Sequence, residues 1–267
     1  MKYGYFAPPE PLKKYVRYFW RLEDSGHAPV PPTFRTIADG CPGIIFQHGE
    51  HGSFFRAGKQ LPPLFLYGQA TGFAEIAVRG SFCTVGAYLF PHAIRSLFGI
   101  DSSELTDNCV DLNLPEYREQ HRGLKGLESV SRGDDQFNWL GAFLQLKAER
   151  SLLKHDLQID RAVQLIMSQK GQVAVKTLQN ELGMSERRFK QYVGISPKLF
   201  ARISRFQAAL KQLRDEKYER LSDIAYSHEY ADQSHFIRSF KEFSGVLPKD
   251  FIRSLKTSAN HLPEIIF

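Results

Sequence analysis

The chain repeats itself once near its C-terminal end, and that repeat limits what it can fold into. Residues 189–200 read FKQYVGISPKLF and residues 240–251 read FKEFSGVLPKDF, an offset of 51 residues. Phe, Lys, Gly, Pro, Lys and Phe coincide, so six of the twelve positions are identical. Tyr192 answers Phe243, and Ile195 answers Val246. Each copy reads as a helix stop followed by a helix start. An amphipathic helix ends at Gly194 or Gly245, where glycine adopts a positive φ without steric penalty. An aliphatic residue follows. Pro197 or Pro248 then opens the next helix, at a position whose N–H would have no intrahelical acceptor. Upstream of each copy lie a shorter helix and a tight turn, in LQNELGMSERRF and in IAYSHEYADQSHF. Helix, tight turn, helix is the layout of a DNA-reading helix-turn-helix. Here it occurs twice, joined by a long helix over 198–214. The plain alternative is a duplicated helical bundle used for protein contacts.

Composition divides the chain ahead of the repeat. Residues 1–150 hold 16 Gly and 11 Pro, while residues 151–267 hold 4 and 3. Frequent Gly and Pro punctuate short strands, and their scarcity permits long helices. In the front, apolar or alternating runs at 43–48, 64–67, 75–78 and 82–90 are separated by turn signals such as Ala57-Gly58 and Arg79-Gly80, which suits an antiparallel sheet or barrel. A short helix over 91–98 ends at Gly99, and helices follow near 116–130 and 135–150. In the rear, Ile159, Val163, Ile166 and Met167 form one helical stripe, and segments 174–182, 186–193, 198–214, 222–227, 232–243 and 249–255 complete about seven helices. The expected fold class is α+β: a β-rich N-terminal sensing domain followed by an all-α double helix-turn-helix domain. The expected divisions are a front domain over 1–115, a helical and dimerising connector over 116–153, the DNA-binding domain over 154–258, and an apolar tail over 259–267.

Charge follows the same division. The net charge is +6, and the front 150 residues balance at 16 basic and 16 acidic side chains. The whole excess lies in the rear, with 19 against 13. A confined positive excess points to a polyanion partner or to a solvated helical surface. At 42% hydrophobic and 24% charged, the chain is an ordinary globular one rather than disordered or collagen-like. No apolar run approaches the roughly 20 residues of a membrane span. The N-terminal MKYGYFAPPEPLKKYV lacks the apolar core of a secretory signal. Cys41, Cys83 and Cys109 are odd in number and form no CxxC pair, so they read as reduced thiols in a cytoplasmic protein.

Residues 157–255 resemble the DNA-binding module of AraC/XylS-type transcription regulators. In the second unit the matching residues are Ile224-Ala225, Asp232-Gln233-Ser234-His235-Phe236, Arg238, Phe240-Lys241, Gly245 and Pro248. In the first they are Leu182-Gly183-Met184-Ser185, Arg187, Phe189-Lys190 and Gly194-Ile195-Ser196-Pro197. The resemblance implies two reading helices set into successive major grooves of duplex DNA. It also implies RNA polymerase as a partner, and a small-molecule effector or a homodimer acting through the front domain. Residues 5–114, with the pieces YVRYFWRLE, ADGCPGIIF and GAYLFPHAIRSLFGIDSSELTD, resemble a β-rich domain found ahead of such modules.

Long polar side chains on the N-terminal half of a reading helix meet base edges. The expected base readers are Gln233, Ser234, His235 and Arg238 in the second unit and Arg187 in the first. Arg238 suits bidentate pairing with guanine, or else an ion pair with Asp232 or Glu242. Arg188, Lys190, Lys198, Arg202, Lys241 and Lys249 are the expected phosphate contacts, which supply affinity without sequence information. The sequence departs from the family at three places. Leu178 to Phe189 spans 11 residues where Ile224 to Phe240 spans 16, so the first reading helix is about one turn short. Glu229 stands where the family has a turn glycine, and Leu247 replaces a serine before Pro248. The second unit is therefore expected to carry most of the specificity.

No catalytic set, metal site or cofactor motif emerges in the front half. His48, Glu50 and His51 in QHGEHG fit a hairpin tip better than a metal site. Cys41 reads as a turn residue entering a buried strand, with a reactive thiol as the alternative. Tyr15, Tyr18 and Trp20 are candidate ligand-pocket aromatics, or else core. The expected function is sequence-specific DNA binding in transcription regulation. The alternatives are an interaction or sensor protein weakened in DNA binding by the short helix, and an enzyme in the front domain.

Overall fold

The computed structural model describes residues 2–24, 33–47, 53–118, 134–151 and 156–257. The strands are β1 (Lys2–Phe6), β2 (Val16–Asp24), β3 (Thr33–Thr36), β4 (Gly43–Gln47), β5 (Ser53–Arg56), β6 (Lys59–Gln60), β7 (Leu64–Tyr67), β8 (Ala74–Arg79), β9 (Phe82–Leu89) and β10 (Cys109–Asp111). Interspersed with or following them come α1 (Ala93–Phe98), α2 (Pro115–Arg118) and α3 (Asp134–Arg150). The strands form two antiparallel sheets, ordered β1-β2-β9-β4-β7-β10 and β3-β8-β5-β6.

Register explains the burial. Tyr5, Trp20, Gly86, Ile45 and Phe65 lie in one row across the large sheet, and Phe6, Phe19, Ala87, Ile44 and Leu66 lie in the next. Adjacent rows point to opposite faces. Trp20, Ile45 and Phe65 meet Phe34, Phe54, Ile76 and Val78 of the small sheet. Phe19, Ile44, Leu66 and Ala87 meet Ile94, Leu97 and Phe98 of α1 and Leu140, Phe143 and Leu144 of α3. The large sheet is therefore covered on both faces, and every residue of β4 and β9 is buried. That is why GIIFQ and FCTVGAYL run apolar without alternation. Turn signals were less uniform in meaning. Ala57-Gly58, at φ 49° and 77°, closes a hairpin between β5 and β6. Arg79-Gly80 instead joins β8 of one sheet to β9 of the other, so it turns a corner.

The rear half contains α4 (Leu157–Ser168), α5 (Val175–Leu182), α6 (Glu186–Val193), α7 (Pro197–Arg214), α8 (Leu221–Ser227), α9 (Gln233–Ser244) and α10 (Pro248–Thr257). Phe189, Phe200, Phe206, Phe236, Phe240 and Phe243 are buried at its centre. The two copies of the repeat fold alike. Gly194 and Gly245 end α6 and α9 at φ 98° and 78°, and Pro197 and Pro248 open α7 and α10. Most of the helix expected near 116–130 lies outside the described residues, as do His48, Glu50, His51 and the apolar tail.

The two halves are in direct contact. Ile37 and Ala38, from the loop after β3, join the helical core. The Ala38 N–H donates to the Phe243 carbonyl at 3.2 Å, and Gln207 Nε2 donates to the Ala38 carbonyl at 2.6 Å. Ser102 Oγ donates to the Tyr192 carbonyl at 2.7 Å, and Thr106 Oγ1 to the Gly194 carbonyl at 2.8 Å.

Glycine at position 86 is required by Trp20, which stands opposite it in the ladder. A Cβ at Gly86 would lie 2.3 Å from the indole Cζ2, in a packed core with no room to yield. Gly86→Ala should lower stability by about 3 kcal/mol or more, as overpacked cores do. A urea midpoint within error of wild type would contradict this packing.

Candidate nucleic-acid interface

Each reading helix is set by its own cap. Ser185 Oγ accepts from the Arg188 N–H at 3.2 Å to start α6, and Asp232 Oδ1 accepts from the His235 N–H at 2.7 Å to start α9. One face of α6 is anchored by Phe189 and Val193, and one face of α9 by Phe236, Phe240 and Phe243. The opposite faces are open. Arg187 and Lys190 on α6, and Gln233, Ser234, Arg238 and Lys241 on α9, are exposed. Arg238 has no hydrogen bond or ion pair to any described residue, and Glu242 pairs with Arg202 instead. Lys198 and Lys249 occupy equivalent positions just after the two prolines, and both are exposed.

Length separates the two units. The first reading helix has 8 residues and the second has 12. The four missing residues correspond to about one turn. Glu229, in the turn before α9, takes φ 54°, a left-handed conformation that costs a non-glycine residue roughly 1 kcal/mol. Arg205 steadies that turn by donating to the Glu229 carbonyl and the Gly171 carbonyl, each at 3.2 Å.

Several expected contacts are occupied otherwise. The Arg188 guanidinium lies 2.6 Å from Asp156 and donates to Gln158 Oε1 at 2.8 Å. Asp156 is buried and caps α4, so the half-exposed Arg188 ties α6 to α4. Arg202 pairs with Glu242 at 2.6 Å and lies over the Phe243 ring. His235 is half-buried: its Nδ1 accepts from the Ala231 N–H at 3.4 Å, and its ring meets Tyr230 edge-on. Tyr226, which the sequence does not single out, is 70% exposed on α8, the helix that precedes the second reading helix. An exposed tyrosine on a short amphipathic helix carries no distinguishing pattern in the sequence.

In the front half, Tyr15 is 3% exposed and Trp20 fully buried, so both are core rather than pocket residues. Tyr15 belongs to the helix-facing core and Trp20 to the space between the sheets. Tyr18 does line a cleft of about 870 Å³ between the front half and α7, together with Arg17, Asp39, Tyr88, Lys211 and Gln212. A second, apolar cavity of about 80 Å³ lies between the sheets near Ile45, Phe54, Phe65 and Phe73. At the cleft floor, Asp39 Oδ1 accepts from the Cys41 N–H at 2.9 Å, and Arg17 Nη1 lies 2.7 Å from Cys41 Sγ. Burial pushes the Cys41 thiol up to about 11 despite Arg17, so it stays a neutral thiol near pH 7. Burial likewise raises Asp39 to about 7, outweighing the Cys41 N–H and Arg17.

Residues 178–254 match a helix-turn-helix domain family, and residues 5–111 match a domain of unknown function, DUF6597. The rear half carries an AraC-type helix-turn-helix domain. An AraC-type domain behind an N-terminal β-rich domain marks the chain as a DNA-binding transcription regulator. Solved structures of ToxT from Vibrio cholerae resemble the chain at low levels. One covers 92% of this chain and 99% of its own, with 13% identity and a TM-score of 0.45. Another, bound to (E)-4-(8-methylnaphthalen-1-yl)but-3-enoic acid, covers 96% and 100%, with 11% identity and a TM-score of 0.45. Among curated proteins, no sequence matches this one significantly. No helix among the described residues is long and apolar enough to cross a membrane.

Two tests follow from the AraC-type site and its surroundings. Arg188→Ala should lower stability by about 1 kcal/mol, discounted for the half-exposed guanidinium, and leave DNA affinity within about twofold. A large loss of DNA affinity at unchanged stability would return Arg188 to the phosphate backbone. Asp39 holds a proton in the folded state that the unfolded chain releases. Its contribution is therefore fully present below the ordinary carboxylate range and is lost as pH rises from about 4 to about 7. Relative to Asp39→Asn, wild type should lose stability across that window. Parallel pH profiles for the two proteins would contradict the raised carboxyl.

Proposed function

We propose that the chain is a sequence-specific duplex DNA-binding regulator whose two units divide the work unequally. α9 reads bases through Arg238 and Gln233, with Ser234 and His235 beside them. The shorter α6 contributes Arg187 and, through Lys190, phosphate contact. Lys198, Lys241, Lys249 and Tyr226 hold the backbone on either side. The observation that carries the reading is the difference in length, 8 against 12 residues, between two helices otherwise capped alike. A shorter helix reaches less far into the groove with its N-terminal turn, where base contacts are made. Arg238 adds the chemistry, because an exposed guanidinium without an ion-pair partner among the described residues is available to pair bidentately with guanine.

Regulation in this proposal comes through the front half. The cleft beside α7 is its small-molecule site, since residues of both halves line it and an occupant there touches both. Homodimerisation through the front half and contact with RNA polymerase complete the scheme, in the cytoplasm where promoters are accessible. The short α6 also favours a second reading, in which the module has given up DNA for a protein partner.

On a site selected from random duplexes, Arg238→Ala should cost about tenfold or more in discrimination against a single-base mismatch, as loss of a bidentate pair does. Arg187→Ala should cost less than about threefold by the same measure. Wild-type affinity should fall steeply as salt rises, through release of counterions. Equal losses in the two variants would contradict the division of labour. No binding to any duplex at low salt would favour the protein-partner reading.

A further inference from the structure

The front half touches both helix-turn-helix units, and it does so at the same two positions of the repeat. The first position is Tyr192 in one copy and Phe243 in the other. The Tyr192 carbonyl accepts from Ser102 Oγ at 2.7 Å, and the Phe243 carbonyl accepts from the Ala38 N–H at 3.2 Å. Both carbonyls belong to the last turn of a reading helix, where no intrahelical N–H is available. The second position is the glycine two residues on. The Gly194 carbonyl accepts from Thr106 Oγ1 at 2.8 Å, and a Cβ on Gly194 would come within 3.0 Å of the Ser102 carbonyl. On Gly245, a Cβ would lie 2.7 Å from the Phe73 ring. The glycines thus provide both the left-handed helix end and the clearance for the front half to approach.

We propose that the front domain works as a caliper, fixing the separation and angle of α6 and α9 from their C-terminal ends. It thereby makes Ser102, Thr106 and Phe73 determinants of the spacing between the two DNA half-sites. Arg187, Gln233 and Ser234 lie in the first turns of their helices and Arg238 at the middle of α9, and all four stay exposed, so the grip positions them without covering them. Ala38 locks the device to the connecting helix as well, since its carbonyl takes the Gln207 amide at 2.6 Å. Without the grip, the two units would be held at their separation by α7 and by the Gln172 amide, which donates to the Ser227 carbonyl at 3.0 Å. These three residues are positioning residues, because they act on DNA only through the helices they hold. The inference rests on the DNA-binding reading.

The test uses the full chain. Wild type, Ser102→Ala/Thr106→Val, Phe73→Ala and the donor-preserving Ser102→Thr are each taken through selection from a random duplex pool. The spacing between half-sites is then read from the enriched sequences. Wild type should favour one spacing over its one-base-pair neighbours by about tenfold, the scale expected when two or three hydrogen bonds set the geometry. Ser102→Ala/Thr106→Val and Phe73→Ala should keep the half-site sequences and reduce that preference to about twofold or less. Ser102→Thr should retain it. Affinity for a duplex carrying only the half-site read by α9 serves as the control for folding and should not change. The caliper is overturned if the variants bind that half-site normally and keep the wild-type spacing preference. It is also overturned if wild type has a consensus but no preferred spacing. A wild-type pool with no enriched sequence overturns the DNA-binding reading itself, and the caliper with it.

Discussion

An α-helix that ends abruptly leaves its last carbonyls without partners, and much of this molecule is organised around that problem. Each reading helix must stop sharply, so that the next helix can leave at an angle and the reading face stays short and exposed. Glycine at 194 and 245 makes the sharp stop by taking a left-handed conformation. The stop leaves the carbonyls of Tyr192 and Phe243 to be satisfied from outside, and the front half supplies both donors. The chemical need that ends the helices is also what joins the two halves.

Rigidity on the front side comes from a sheet buried on both faces. Trp20, Ile45 and Phe65 face the small sheet, while Phe19, Ile44 and Leu66 face α1 and α3. The loops that reach the helical half emerge from this core: residues 37–40 after β3, the turn at 102–106 after α1, and Phe73 before β8. Phe73 also lines the apolar cavity between the sheets, and the loop bearing Ala38 continues into Asp39 and Gly40 on the larger cleft. Both contacts on α9 therefore lie beside a cavity, while Ser102 and Thr106, which hold α6, line neither.

The sequence disclosed what is written locally. Gly194, Pro197, Gly245 and Pro248 mark helix ends through their own backbone preferences, so all seven rear helices are legible in the chain. The missing turn of the first reading helix is a matter of counting residues, and Glu229 was legible as a strained turn residue. Pairing across distance was not. Arg188 looks like any surface cation until α4 packs beside α6 and brings Asp156, 32 positions away, against it. YVRYFWRLE gives no sign that Trp20 will cover Gly86 rather than line a pocket, because cross-strand register depends on the whole sheet. Ser102 and Thr106 are small polar residues whose partners lie about ninety positions downstream. No local periodicity encodes such contacts.

In the proposed complex two capped helices of unequal length meet DNA, with base reading concentrated in the longer one. Chemical interference on a bound duplex tests it most directly, by methylating guanine N7 in the major groove and ethylating phosphates. Ethylation should interfere along two patches one helical turn apart, while methylation should interfere within one patch only, and Arg238→Ala should erase that methylation signal. Methylation interference of equal strength in both patches, or a signal indifferent to Arg238, would contradict the account.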